Sequence, residues 1–104
     1  MFKALAVLPV AAHLLLPVTD TAPTFDVTPS CRGAMDNAND QTTFKACLDS
    51  EQKARDQLVK EWSQFKPATR ALCRQVATIG GEPTYSEFIT CLEMERDTKQ
   101  SPSG

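Results

Sequence analysis

The chain is 104 residues long and carries a formal net charge of −2 at pH 7, with a sequence pI of about 5.3. This length allows one domain at most, and the slightly acidic balance excludes the strongly basic surface that general nucleic-acid binding requires. We therefore expect one small domain with no nucleic-acid partner.

The first 22 residues have the pattern of a secretory signal peptide. Lys3 is followed by an apolar run, Ala4–Val18, and then by polar, proline-rich sequence. Because this run is shorter than the roughly 20 residues of a membrane-spanning helix and contains two prolines, we expect no stable span. Cleavage within Thr19–Pro23 would place the mature protein in the periplasm or outside the cell. The alternative is an uncleaved interfacial anchor or a frayed tail.

Residues 23–40 are predicted to form a linker followed by a polar loop. The stretch Thr19–Ser30 contains two prolines, small polar side chains and no hydrophobic periodicity, which predicts an extended segment. Residues 31–40 are rich in Asn and Asp and predict a loop or a single helical turn. Asp40 or Thr42 is expected to cap the helix that follows, because short oxygen side chains accept hydrogen bonds from free helix amides.

The first long helix is predicted over residues 41–65, which contain no Gly or Pro. Its apolar residues fall on one arc of about 140° when successive residues are placed 100° apart. The arc consists of Phe44, Cys47, Leu48, Ala54, Leu58, Val59, Trp62 and Phe65. Glu51 and Arg55 interrupt it, which leaves two interpretations open. They form either a partly exposed pair beneath the N-terminal loop or a recognition pair on a concave face.

Two shorter helices are predicted after Pro67, over residues 68–79 and 84–98. A break near Lys66 is favoured over a kink, because Pro is tolerated at the first helical position and is costly in a helix interior. The Gly80–Pro83 stretch ends the second helix, since Gly adopts left-handed backbone angles and Pro cannot extend the hydrogen-bond ladder. The third helix begins with a Thr-x-x-Glu capping box.

The apolar faces of these three helices define the expected core. The second helix presents one face made of Thr69, Leu72, Cys73, Val76 and Ile79. The predicted core residues are Phe44, Leu58, Trp62, Phe65, Leu72, Val76, Tyr85, Phe88, Ile89 and Leu92. Residues 41–99 are therefore expected to form an all-α domain, a small disulfide-stapled bundle of about three helices, with residues 100–104 as a tail.

Four cysteines permit three disulfide connectivities. The Gly80–Pro83 turn folds the last helix back on the one before it, which brings Cys73 and Cys91 to nearly the same level. Cys31 would then pair with Cys47. Pairing of Cys31 with Cys91 and of Cys47 with Cys73 stays open as an alternative that needs a sharp fold at Pro67. Each disulfide would stabilise a core this small by about 3 kcal/mol on the chain-entropy model.

The sequence predicts no enzyme, no metal site and no bound cofactor. Its one histidine, His13, lies in the predicted signal peptide, which removes histidine-dependent catalysis from the mature chain. The cysteines form neither a Cys-x-x-Cys redox motif nor a zinc knuckle. Candidate partner-binding residues are Glu51, Arg55, Glu93, Glu95 and Asp97. The acidic helix Glu87–Asp97 and the Glu51/Arg55 pair would contact a basic partner. The alternative interpretation is a solvated acidic helix face.

Several stretches resemble a group of small, uncharacterised exported bacterial proteins. The matching strings are Cys47-Leu48-x-x-Glu51-x-x-Ala54-Arg55-x-Gln57-Leu58-x-x-x-Trp62-x-x-Phe65, Arg70-x-x-Cys73, Gly80-Gly81-x-Pro83-x-Tyr85 and Thr90-Cys91-Leu92-Glu93-Met94-x-Arg96-Asp97. More distantly, the order of Cys31, Cys47, Trp62, Cys73, Cys91 and Arg96 is similar to the lysozyme-inhibitor LprI-like family. That resemblance implies a four-cysteine helical domain of the cell envelope, and some members of the family inhibit lysozyme.

Two functional hypotheses follow. The first is an exported, non-catalytic binding module that inhibits a basic hydrolase such as lysozyme through its acidic residues. The second is a structural, stress-related or adaptor protein of the periplasm that has no hydrolase target.

Overall fold

The computed structural model describes residues 21–100, and their side chains as far as residue 98. The greater part of the predicted signal peptide and residues 101–104 of the predicted tail lie outside the described residues. The described part of the chain is helical and contains no strand, which confirms the all-α prediction. Its elements are α1 (Thr28–Gly33), α2 (Gln41–Glu61), a 3-10 turn (Trp62–Gln64), α3 (Pro67–Thr78) and α4 (Tyr85–Gln100).

Capping and proline chemistry set the bounds of α2 and the start of α3. Asp40 caps α2, as predicted, because its carboxylate accepts a hydrogen bond from the backbone N–H of Thr43 at 3.3 Å. The α-helix ends at Glu61, earlier than predicted, and the last residues of the expected helix form the 3-10 turn. Lys66 is extended (φ −73°, ψ 147°), the conformation that a following Pro imposes, so α3 starts at Pro67.

The turn between α3 and α4 also uses local signals. Gly81 has a φ of +128°, which strongly favours glycine, and its N–H donates to the carbonyl of Thr78 at the end of α3. The hydroxyl of Thr84 accepts from the N–H of Glu87 at 3.1 Å and donates to its carboxylate at 3.0 Å. Thr84 therefore caps α4 as the capping box predicts, and the Glu87 side chain reaches back to the Thr84 hydroxyl.

Helix α4 is the centre of the fold, because it packs against both α2 and α3 while α1 packs on α2. The buried core residues are Leu58, Phe65, Cys73, Ala77, Tyr85, Phe88, Ile89 and Leu92. Trp62 packs partly buried against them, with its ring 6.0 Å from that of Phe88. Phe44 is half-buried and lies outside this cluster, beside the α1–α2 loop.

Leu72 and Val76 of α3 were predicted to lie in the core, and this prediction is wrong. Leu72 and Val76 are 47% and 48% exposed, and Ile79 is exposed as well. The buried face carries the small residues Thr69, Cys73 and Ala77, spaced i,i+4, and turns them towards α4. The disulfide between α3 and α4 orients Cys73 inward, and Leu72 and Ile79 lie roughly 100° or more around the helix from it. Since α3 packs on one helix only, a narrow face is all that it buries.

The segment that the sequence presents as a linker is part of the domain. It has no regular secondary structure as far as Val27, but Ala22, Phe25 and Val27 pack against the core. The hydroxyl of Tyr85 accepts from the N–H of Phe25 at 2.7 Å and donates to its carbonyl at 3.3 Å. The next residues form α1, a helix that begins before the predicted polar loop. This irregular segment thus packs on the core beside Tyr85 of α4.

Both favoured disulfides are confirmed. Cys31 bonds to Cys47 and ties α1 to α2, and Cys73 bonds to Cys91 and ties α3 to α4. All four cysteines are therefore paired, and the alternative connectivity is excluded.

Candidate functional site

Glu51 is used inside the fold and offers no surface to a partner. It is buried, and its carboxylate accepts hydrogen bonds from the N–H of Tyr85, at 2.7 Å, and from the hydroxyl of Ser86. A negative charge at this place also complements the positive end of the α4 dipole. Arg55, one turn further along α2, lies half-buried beside the N-terminal segment. These positions favour the interpretation of a pair beneath the N-terminal loop.

Two further candidates, Glu93 and Asp97, take part in a polar network between α2 and α4. The guanidinium of Arg96 donates to buried Glu61 at 2.9 Å and to Asp97 at 2.9 Å, and it lies 5.4 Å from the ring centre of Phe65. The neighbouring Asp97 and Glu61 carboxylates raise the pKa of Arg96, so the guanidinium stays charged. Sequence reasoning missed Glu61, although its position three residues after Leu58 places it at the edge of the apolar arc.

The ionisation of Glu93 is disfavoured where it sits. Partial burial raises the pKa of Glu93, because it removes water from the charged carboxylate. A hydrogen bond to Glu61 and repulsion from the Glu61 and Asp97 carboxylates raise this pKa further. The positive charge of Arg96 opposes this effect. A group with a raised folded-state pKa stabilises the fold below its unfolded-state pKa, and this contribution is lost as the pH rises through the folded-state value.

We therefore expect Glu93→Gln to stabilise the protein at neutral pH by up to about 1 kcal/mol, the range of partly exposed charge interactions. A glutamine amide donates to Glu61 without carrying a charge, as the protonated carboxyl does. The gain should vanish below about pH 4.5, where the free carboxyl is protonated. Urea unfolding between neutral and acid pH measures it. Asp49→Asn is the control, because it makes the same charge change at an exposed ion pair with Lys53. Its free energy of unfolding should depend on pH as that of the wild type does. If both variants showed the same pH dependence, the raised pKa of Glu93 would not be the cause.

An exposed apolar groove lies between α3 and α4. Its volume is about 540 Å³, and we call it the α3/α4 groove. The lining residues are Val76, Ser86, Glu87, Thr90, Cys91, Met94 and Glu95. Met94 is 63% exposed, and Leu72 and Ile79 extend the α3 side because they share a helix face with Val76. Scattered apolar residues are normal on a surface, whereas exposed apolar grooves rimmed by polar residues mark interaction sites.

The electrostatics of the groove are acidic. Glu87 and Glu95 lie along its α4 side, eight residues apart. Of the candidate partner-binding residues, only Glu95 lines this groove. Glu87 begins the acidic helix Glu87–Asp97 that the sequence offers to a basic partner, whereas Val76 was missed because it was predicted to lie in the core. The i,i+4 spacing of Glu87, Cys91 and Glu95 is the sequence signal that places these three residues on one face of α4.

This arrangement is suited to binding. The described residues contain no group of three His, Cys, Asp or Glu side chains that could hold a metal ion. None of the helices in that same part of the chain is long and apolar enough to cross a membrane. What the groove offers a ligand is apolar contact area flanked by negative charge. Comparison of the chain with protein-family models, with curated proteins and with solved structures gives no match.

Proposed function

We propose that this chain is an exported, non-catalytic binding module of the bacterial cell envelope that inhibits a basic hydrolase such as lysozyme. The observation that carries the proposal is the α3/α4 groove, where Val76 and Met94 remain exposed between acidic residues. Burying apolar surface against a partner supplies affinity, whereas complementary charge speeds association and selects the partner.

Export is supported by the covalent chemistry of the chain. Two disulfides persist in oxidising compartments such as the periplasm or the extracellular space and are rare in the cytosol. The basic residue and apolar run at the N-terminus have the pattern of a signal peptide. A target outside the cytosol fits both features.

The proposal is tested by adding the purified, oxidised protein to a lysozyme assay. We expect inhibition that weakens as the ionic strength rises from about 0.05 M to about 0.5 M, because salt screens the attraction between a basic enzyme and an acidic groove. The double variant Glu87→Gln/Glu95→Gln should associate about tenfold more slowly at low salt, since charge complementarity acts mainly on the association rate. Glutamine preserves the capping box, so helix α4 should remain intact.

Asp49→Asn is the matched control, because it removes one exposed carboxylate on α2, away from the groove. It should inhibit as the wild type does. Absence of inhibition at high micromolar concentration would reject the hydrolase target and favour the structural or adaptor role. Equal inhibition by the double variant and the wild type would move the binding surface away from the α3/α4 groove.

A further inference from the structure

We propose that the occupant of the α3/α4 groove is an amphipathic helix of the partner, with two basic side chains about two turns apart. This inference rests on the proposed binding function and specifies the element that the partner inserts. The partner helix lies with its apolar face on Val76 and Met94 and places one basic residue near Glu87 and the other near Glu95.

The groove has the dimensions and the surface relief of a helix-binding site. Its α4 residues form two rows with i,i+4 spacing, one through Glu87, Cys91 and Glu95, the other through Ser86, Thr90 and Met94. These rows span nine residue steps, which is about 13 Å or two and a half helical turns. The ridges of an incoming helix fit between such rows, as they do where helices pack inside proteins.

The polarity of the groove favours a helix over an extended segment. A strand seated there would bring unpaired backbone N–H and C=O groups onto a surface that is mostly apolar, because Ser86, Glu87, Thr90 and Glu95 expose little polar surface in the groove. A helix satisfies its own backbone hydrogen bonds and presents side chains only. Apolar anchors at i, i+3 or i+4, and i+7 are the pattern by which helices bind such grooves.

The exposed apolar residues of the groove are suited to this contact. Val76 on α3 is 48% exposed and Met94 on α4 is 63% exposed, so the two helices each contribute an exposed apolar side chain to the groove. Methionine is unbranched and polarizable, which lets it adapt to anchors of different shape.

The charges select a basic helix and disfavour two other occupants. Glu87 and Glu95 are separated by eight residues, or roughly 12 Å along α4, so matching cations on the partner are seven or eight residues apart. A second copy seated groove to groove would bring four carboxylates together. An anionic membrane surface would meet the same repulsion, because like charges in an interface oppose association.

The probe is a synthetic helical peptide of about four turns with leucines at i, i+3, i+4 and i+7 and two lysines eight residues apart on its flank. An analogue with both lysines replaced by glutamates keeps the same apolar face. Affinity is measured by isothermal titration calorimetry with the oxidised protein, and the site is mapped by amide chemical-shift changes. We expect the lysine peptide to bind at least about tenfold more tightly than the glutamate peptide, with shifts confined to α3 and α4.

Val76→Lys and Val59→Lys form the matched pair of variants. Val59 on α2 is 50% exposed, as Val76 nearly is, but it lies outside the groove, so both changes put the same side chain at equally exposed helix positions. Val76→Lys should weaken the lysine peptide at least about tenfold, because it removes an apolar contact and adds a like charge. Val59→Lys should leave the affinity unchanged.

Several results would overturn the inference. They are equal affinity for the two peptides, equal loss in the two variants, or shifts that map elsewhere. A dimer in solution, or binding to vesicles of phosphatidylglycerol, with chemical-shift changes confined to the groove would replace the helix by a second copy or by a membrane. If the protein inhibits lysozyme but does not bind the peptide, helix docking fails and the proposed function stands. If the peptide binds without inhibition of lysozyme, the target class fails and helix docking stands.

Discussion

Replacing both Cys73 and Cys91 by alanine should lower the free energy of unfolding by about 3 kcal/mol, the entropy that a closed loop of this length removes from the unfolded chain. The two residues are 18 positions apart in sequence. Domains of this size have a total stability on the order of 5 kcal/mol or somewhat more, so the loss is a large fraction of it. Urea unfolding of the oxidised wild type and of the double variant measures the difference.

The part of the fold that loses stability is a sharper test than the total loss in the free energy of unfolding. Helix α3 buries only small side chains against α4, chiefly Thr69, Cys73 and Ala77. Arg70 adds a hydrogen bond to the Trp62 carbonyl at 2.8 Å, and we expect the disulfide to be the stronger restraint on the position of α3. We expect the amides of α3 to lose their protection from hydrogen exchange in the double variant, because little apolar burial remains to hold the helix.

The second disulfide provides the control for this experiment. Replacing Cys31 and Cys47 by alanine opens a loop of nearly the same length, with a sequence separation of 16, so the chain-entropy effect is about the same. Here α3 should keep its protection, because its contacts with α4 are unchanged. Equal loss of α3 protection in both variants would contradict the assigned role of the Cys73–Cys91 bridge.

The starts of α2 and α3 and the turn before α4 were accessible from the sequence because they depend on local chemistry, whereas α1 and the early end of α2 at Glu61 were not predicted. Asp40 at the start of α2, Pro67 at the first position of α3 and Gly81 in the following turn each act on backbone groups within a few residues. The disulfide pairing was accessible for a related reason, since a short turn between two helices fixes which cysteines meet.

The rotation of α3 was not accessible, because periodicity finds an apolar face without showing what covers it. Leu72 and Val76 form such a face and point to solvent, whereas the less apolar Thr69 and Ala77 are buried. The apolar face that the core leaves uncovered is also the wall of the candidate site. The mistaken prediction and the proposed function therefore concern the same residues.

The long-range contacts of the acidic residues were also beyond local reasoning. Glu51 contacts residues 34 and 35 positions later, and Arg96 reaches Glu61 across a similar separation. Sequence pattern shows that a charge interrupts an apolar arc, and a buried charge requires partners. The identity of those partners depends on how the helices are placed. The acidic candidates accordingly divide into Glu51, Glu93 and the exposed Asp97, which interact with residues of the fold, and Glu95, which lines the groove.

Glu51→Ala should destabilise the protein by about 3 kcal/mol, because it removes two hydrogen bonds to a charged group and leaves the buried N–H of Tyr85 without its acceptor. Glu51→Gln should cost only about 1 kcal/mol, since the glutamine oxygen can accept from Tyr85 while its amide donates to the Ser86 hydroxyl. Thermal and urea unfolding measure both changes.

Asp56→Ala is the control for the Glu51 variants, because its carboxylate is exposed on α2 and bonds only to the side chain of Gln52 among the hydrogen bonds identified. It should change stability by less than about 0.5 kcal/mol. If Glu51→Ala changed the free energy of unfolding as little, the first turn of α4 would not depend on the contact with α2. The expected large effect would instead mean that Glu51 fixes the first turn of the helix that carries Glu87. In that case Glu51→Ala should also weaken partner binding although Glu51 never touches the partner, and Glu51→Gln should largely restore it.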